Sequence, residues 1–181
     1  SARAAQTSTA SPTVPQADAQ PAVGMSTELL NKIASADWQA LQTLSQHCTA
    51  CALSAMGRQH VVFSDGGPGP KLVVVGEAPG AEEDLQGIPF VGKSGKLLTA
   101  MLDSLGLVRR RDCVILNVLK CRPPRNRNPQ PEEIVCCGHW LARQLELLKP
   151  DVLFLAGRFA ISSLLKPADE MFSISKMRGR I

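Results

Sequence analysis

Cys48 and Cys51 form a C-x-x-C pair, the spacing at which two thiolates reach one metal, and Cys121 with the adjacent Cys136 and Cys137 can complete four ligands. A thioredoxin-like redox pair is the rival reading. That motif follows a strand and opens a helix, whereas Cys48 follows a helical pattern near the N-terminus, so the metal site is preferred. Zinc and an iron-sulfur cluster use the same thiolates, and spacing does not separate them. Cys113 opens an apolar run and reads as a core residue.

Two further stretches carry polar chemistry. GEAPGAEED, from Gly76 to Asp84, follows an apolar run and brings four carboxylates to a turn shaped by glycine and proline. Such a loop can hold a metal, position a water or stabilise a cation. Glu82, Glu83 and Asp84 are equally well explained as a solvated acidic helix start, whereas Glu77 sits at the strand end itself. Asn117 is the last polar side chain of the run around Val114 to Val118, where a buried amide must find partners or cost about 1 to 3 kcal/mol. It is read either as a structural hydrogen bond or as a ligand-reading amide. Beyond it, CRPPRNRNPQPEEIVCC stiffens a loop with Pro123 and Pro124 and offers Arg125 and Arg127 at its tip. Arg109, Arg110, Arg111, Lys120 and Arg122 crowd the same region, and clustered arginines beside a loop suit phosphate as well as solvent.

Gly87 to Ser94 (GIPFVGKS) satisfies the phosphate-loop spacing literally, yet AEEDLQ in place of a strand precedes it and its interior carries a proline without an amide hydrogen. The match is read as a coincidence, and nucleotide hydrolysis as an alternative that is not preferred.

These residues need a scaffold that places them together. Leu72 to Val75, Val114 to Val118 and Val152 to Leu155 are short, β-branched-rich runs suited to a buried parallel sheet. Helical patterns precede and separate them: Thr27 to Ile33, Ala36 to Ser45, Leu97 to Leu105, Ile134 to Leu148 behind a Pro131-Glu132-Glu133 start, and Arg158 to Leu165. The alternation predicts an α/β fold, a three-layer α/β/α sandwich around a central parallel sheet. Such sheets carry their sites at the carboxyl ends of the strands, here just after Val75, Val118 and Ala156.

The 181 residues, 44% hydrophobic and 20% charged, suit one globular domain plus a tail, and no apolar run approaches the roughly 20 residues of a membrane span. Residues 1–25 are Ala, Ser, Thr, Pro and Gln-rich, a composition expected to stay disordered, and 26–181 form the domain. Six cysteines without a secretion signal point to a reducing compartment rather than a disulfide framework.

GEAPGAEED, GIPFVGKSGKLL, NVLKCRPPRNRNPQPEEIVCC and ISKMRGRI occur in an order and spacing that resemble the family-4 uracil-DNA glycosylases, the iron-sulfur type of bacteria and archaea, from about Trp38 to Ile181. The resemblance implies a glycosylase that hydrolyses the N-glycosidic bond of uracil in single- or double-stranded DNA for base excision repair, as a monomer in the bacterial cytoplasm. It implies a [4Fe-4S] cluster, with zinc as the alternative, on Cys48, Cys51, Cys121 and Cys137, leaving Cys136 to pack. It implies Glu77 as the catalytic carboxylate; Phe90 stacking on the base; Asn117 reading its edge; backbone at Gly80 and Gly87 lining the pocket; and Arg122, Arg125, Arg127 and Arg178 meeting DNA. Family members continue into a further strand and a histidine-proline loop, so the domain is expected to be incomplete at its C-terminus. A non-catalytic iron-sulfur DNA-binding module of the same fold is the alternative function.

Overall fold

The computed structural model of the chain describes residues 24–165. Three parallel strands, β1 (Leu72–Gly76), β2 (Cys113–Asn117) and β3 (Val152–Leu155), lie in the order β2-β1-β3. Leu72 pairs with Cys113 on one side and Val152 on the other, so the three carboxyl ends finish level. The β1–β2 hydrogen bonding runs on past the strands, with Val118 N–H donating to Gly76 O (2.9 Å) and Leu119 N–H to Glu77 O (2.9 Å).

Among the described residues, six helices accompany the sheet: α1 (Thr27–Ser35), α2 (Trp38–Gln46), α3 (Ala81–Gln86), α4 (Lys93–Ser104), α5 (Pro131–Leu148) and α6 (Arg158–Leu165). Alternation along the strands sorts their side chains to two cores. Val73, Val75, Val114 and Leu116 face Leu141, Leu145 and Leu148 of α5 and Ala160 of α6. Val74 and Ile115 face Leu98 and Leu102 of α4. The three-layer α/β/α sandwich expected from the sequence is what forms. On its outer side α5 also packs Cys136 and Trp140 against Ile33 and Leu41 of α1 and α2, together with Phe63.

Local chemistry sets the helix ends. Ser26 Oγ accepts from Leu29 N–H and Asp37 Oδ1 from Ala40 N–H, capping α1 and α2. Pro131 opens α5, and Glu133 reaches back to the Gln130 amide (2.8 Å). Arg143 of α5 donates twice to Ala36 O at the end of α1, fixing the N-terminal hairpin on the domain.

The connection after β1 enters α4 on one face, whereas that after β2 enters α5 on the other. Chains that leave neighbouring strands toward opposite faces open a crevice at their carboxyl ends. Edge strand β3 is less covered, with Val152 56% and Phe154 45% exposed among the described residues.

Candidate active site

That crevice is a cleft of about 400 Å³ whose walls are Glu77 to Gly80 after β1, Glu83 of α3, Phe90 and Ser94 before and in α4, Asn117 of β2, Pro123, Asn126 and Arg127 of the arginine loop, and Ala156 after β3. All three strand ends contribute, as the sheet geometry requires.

Asn117 lies at the floor, 2% exposed, and its Oδ1 has no hydrogen-bond partner among the described residues. A buried amide oxygen left unpaired costs about 1 to 3 kcal/mol, a cost that a donor entering the cleft would relieve. The Phe90 ring stands beside it. A Cβ placed on Gly76 would lie 2.4 Å from that ring and 2.5 Å from Asn117 Oδ1, so only glycine at the end of β1 admits both groups. Phe90 itself takes a left-handed backbone (φ 55°). Glu77 is half-buried, and burial raises its carboxyl above the ordinary carboxylate range against an opposing pull from the Arg158 charge.

Glu83 organises this end of the molecule. Its Oε1 accepts from Val91 and Gly92 N–H (3.0 and 2.8 Å) and its Oε2 from Gly80 N–H (3.1 Å), lashing the turn after β1 to the start of α4. Asp84 is 2% exposed and accepts from Gln59 and His60 N–H. These two carboxylates are therefore structural ties and not a solvated helix face, which corrects that expectation; Glu82 alone of the three is exposed.

On the other side of the arginine loop, Cys48, Cys51, Cys121, Cys136 and Cys137 line one enclosed pocket with Arg58, Lys120 and Trp140. Arg58 Nη1 donates to Cys121 Sγ (3.0 Å) and Nη2 to Cys48 O (2.7 Å). Burial pushes the Cys121 thiol up to about 11 and raises Cys51, Cys136 and Cys137 as well. Lys120 is buried, which lowers its ammonium to about 7, and Nζ donates to Asn117 O (2.7 Å). One residue thus joins the cysteine pocket to the backbone of the cleft floor.

The sequence profile described as the uracil DNA glycosylase superfamily matches residues 63–179, the segment that holds the sheet, the cleft and three of the five pocket cysteines. The chain belongs to the uracil DNA glycosylase superfamily. It is 49% identical over 135 residues to a type-4 uracil-DNA glycosylase of Archaeoglobus fulgidus, 48% over 132 to that of Thermotoga maritima and 40% over 134 to that of Saccharolobus solfataricus. These matches cover 74%, 73% and 74% of this chain and 67%, 67% and 62% of the relatives, so the chain spans about two thirds of their length.

Within this glycosylase scaffold, the cleft gathers Glu77, Gly80, Phe90, Asn117 and Arg127, and the second pocket gathers the four cysteines Cys48, Cys51, Cys121 and Cys137. Some of the expected residues are engaged internally or lie elsewhere. Gly80 N–H is already donated to Glu83, and Gly87 N–H to Glu83 O (2.8 Å), so neither glycine offers a free amide to a ligand. Gly87 ends α3 in the left-handed region (φ 70°) instead of lining the cleft. Arg127 holds Glu133 through both terminal nitrogens (2.9 and 2.6 Å), which ties the loop to the start of α5. Burial acts to raise the Glu133 carboxyl, but the bonds from Arg127 and the Gln130 amide outweigh it and hold it below the ordinary value. Arg122 donates to Asn126 Oδ1 (2.8 Å), and Arg125 is exposed. Arg109 and Arg110 both pair with Asp65, and Arg111 pairs with Asp112, so that part of the basic cluster is occupied internally. Arg178 and residues 1–23 lie outside the described residues. The GIPFVGKS stretch follows helix α3 and not a strand, in keeping with a coincidental phosphate-loop match.

Gly76 and Ser94 were not anticipated as site residues, and Glu83 enters the cleft wall as a backbone tie. The signal for Gly76 was a glycine closing an otherwise β-branched strand. Gly76→Ala is expected to drive the Phe90 ring and Asn117 amide apart, lowering stability by about 1 to 3 kcal/mol in denaturant melts and raising KM for the cleft's ligand.

Proposed function

We propose that this chain is a uracil-DNA glycosylase that takes uracil, flipped from DNA, into the cleft and hydrolyses its N-glycosidic bond. The unpaired Asn117 Oδ1 beside the Phe90 ring carries the reading. Uracil supplies what that site lacks: N3–H donates to Oδ1, O4 accepts from the Asn117 NH2, and the Phe90 ring covers the base face. Cytosine presents the reverse pattern and leaves the buried amide facing unmatched groups, a large penalty.

Bond cleavage builds positive charge on the sugar and negative charge on the departing base. Glu77, at the cleft wall, stabilises the cation or orients the attacking water as a carboxylate. Arg125 and Arg122 on the loop outside the cleft are suited to phosphate; Arg127, engaged with Glu133, shapes the loop that presents them.

The donor set of the second pocket fits an iron-sulfur cluster on Cys48, Cys51, Cys121 and Cys137. All four thiols border one enclosed space beside the cationic Arg58. Zinc draws on the same thiolates and is the alternative occupant. When bound, the cluster fastens the N-terminal hairpin and the arginine loop to the sheet.

Purified protein incubated with uracil-containing single- and double-stranded oligonucleotides is expected to leave alkali-labile sites; binding without release of uracil would favour the non-catalytic module. The carboxylate form of Glu77 is the working form, so activity is full above its raised pKa and falls as pH drops through it. Glu77→Gln is expected to lower kcat by about 10²-fold and to remove that acid limb from the pH profile.

A further inference from the structure

Phe90 is a bulky residue in a left-handed conformation, a placement that persists only where its surroundings enforce it. One guanidinium does so. Arg109 Nη2 donates to Pro89 O and Nη1 to Phe90 O, each at 2.7 Å, bridging two successive carbonyls with its rigid planar fork. Nη1 also reaches Thr99 Oγ1 of α4 (3.2 Å), and Nε donates to Asp65 Oδ2 (2.7 Å). Asp65 is buried and fixed by reciprocal backbone hydrogen bonds with Ile115 (2.9 and 3.0 Å), and Arg110 holds its other oxygen. Gly95 completes the arrangement, because a Cβ there would lie 1.9 Å from Phe90 O.

Ile115 stands two residues before Asn117 on β2. The strand that carries the base-reading amide therefore also sets, through Asp65 and Arg109, the backbone that carries the stacking ring.

We propose that Arg109, anchored by Asp65, is a positioning residue that fixes the Phe90 ring against Asn117 and thereby sets the selectivity of the cleft for uracil. The inference rests on the reading of the cleft as a uracil pocket. Arg109 touches no base; it acts through Phe90. Lysine in its place keeps a charge for Asp65 but loses the planar fork that spans both carbonyls.

The test compares full-length wild type with Arg109→Lys, Arg109→Ala and Asp65→Asn. Fluorophenylalanine labelling gives each of the five phenylalanines a fluorine resonance, with Phe90 assigned by its loss in Phe90→Leu. Arg109→Lys is expected to shift or broaden the Phe90 resonance, to raise KM for uracil-containing DNA about tenfold and to narrow the uracil-over-cytosine rate ratio about tenfold, with circular dichroism unchanged. Should Arg109→Ala fail to fold, Arg109→Lys and Asp65→Asn still decide. An unmoved Phe90 resonance with an unchanged selectivity ratio in both overturns the proposal. A wild type that releases no uracil instead defeats the pocket reading, while the fluorine resonance still reports whether Arg109 holds the ring.

Discussion

Replacing Asn117 with alanine is expected to lower kcat/KM on uracil-containing DNA by about 10³-fold while leaving the thermal midpoint unchanged or higher. The two halves of the result have one cause. In the free protein the Asn117 Oδ1 is buried without a partner, so the side chain contributes a desolvation cost of about 1 to 3 kcal/mol and no compensating bond. Alanine removes that cost together with the two hydrogen bonds to the base, whose loss in a closed site corresponds to roughly 4 kcal/mol of transition-state binding. A structural asparagine predicts the opposite pairing, a clear fall in stability with activity nearly kept. Asn117→Asp separates the roles further, since a carboxylate accepts but has no NH2 for O4; it is expected to be as inactive as alanine and less stable. Steady-state kinetics and a thermal melt on the same preparations check both halves, and a lower midpoint with retained activity for Asn117→Ala would remove the base-reading role.

The scaffold was legible in the sequence because each of its elements carries its own signal. The runs around Val73, Ile115 and Leu153 are β-branched and apolar over strand lengths, and α5 announces itself by Pro131, two acids and an apolar stripe ending at Leu148. The cleft followed from the same pattern, since a parallel sheet leaves its strand ends at one side and Glu77 and Asn117 sit at two of them. What stayed hidden depends on partners far apart in the chain. Glu83 and Asp84 read as solvated acids because their own segment is acidic, yet the amides they satisfy belong to residues 59–60, 80 and 91–92. Arg127 read as a DNA ligand and Arg109 as part of a basic cluster suited to phosphate or solvent, yet Glu133 and Asp65 occupy them. Local composition reports how many charges a segment has; which of them remain for a ligand is settled by packing.

The doubled cysteine offers the second large effect. Cys137→Ala is expected to yield a colourless protein that loses about 4 kcal/mol or more of stability, whereas Cys136→Ala keeps the broad visible absorbance and loses about 1 to 2 kcal/mol. Adjacent helical positions point about 100° apart, so the two thiols cannot serve the same role. Cys137 packs on the sheet side of α5 with Cys121, Val118 and Leu141, and Cys51 packs against the same group. Cys136 turns instead toward the α1 and α2 side with Ala50 and Trp140, its Sγ 3.5 Å from Ala50 O. Cys48 and Cys51 border the Cys136 group and Cys51 the Cys137 group as well, but Cys121 belongs with Cys137 alone, so the proposed cluster takes Cys137 as its fourth ligand. Removing that ligand frees the hairpin and the loop together, because those segments meet across the pocket, and the lost stability exceeds what one buried side chain contributes. Visible absorbance, iron content and a denaturant melt on the two variants read the outcome. A colourless Cys136→Ala beside a brown Cys137→Ala would reverse the ligand assignment, and a colourless wild type with stoichiometric zinc would replace the cluster with a single ion.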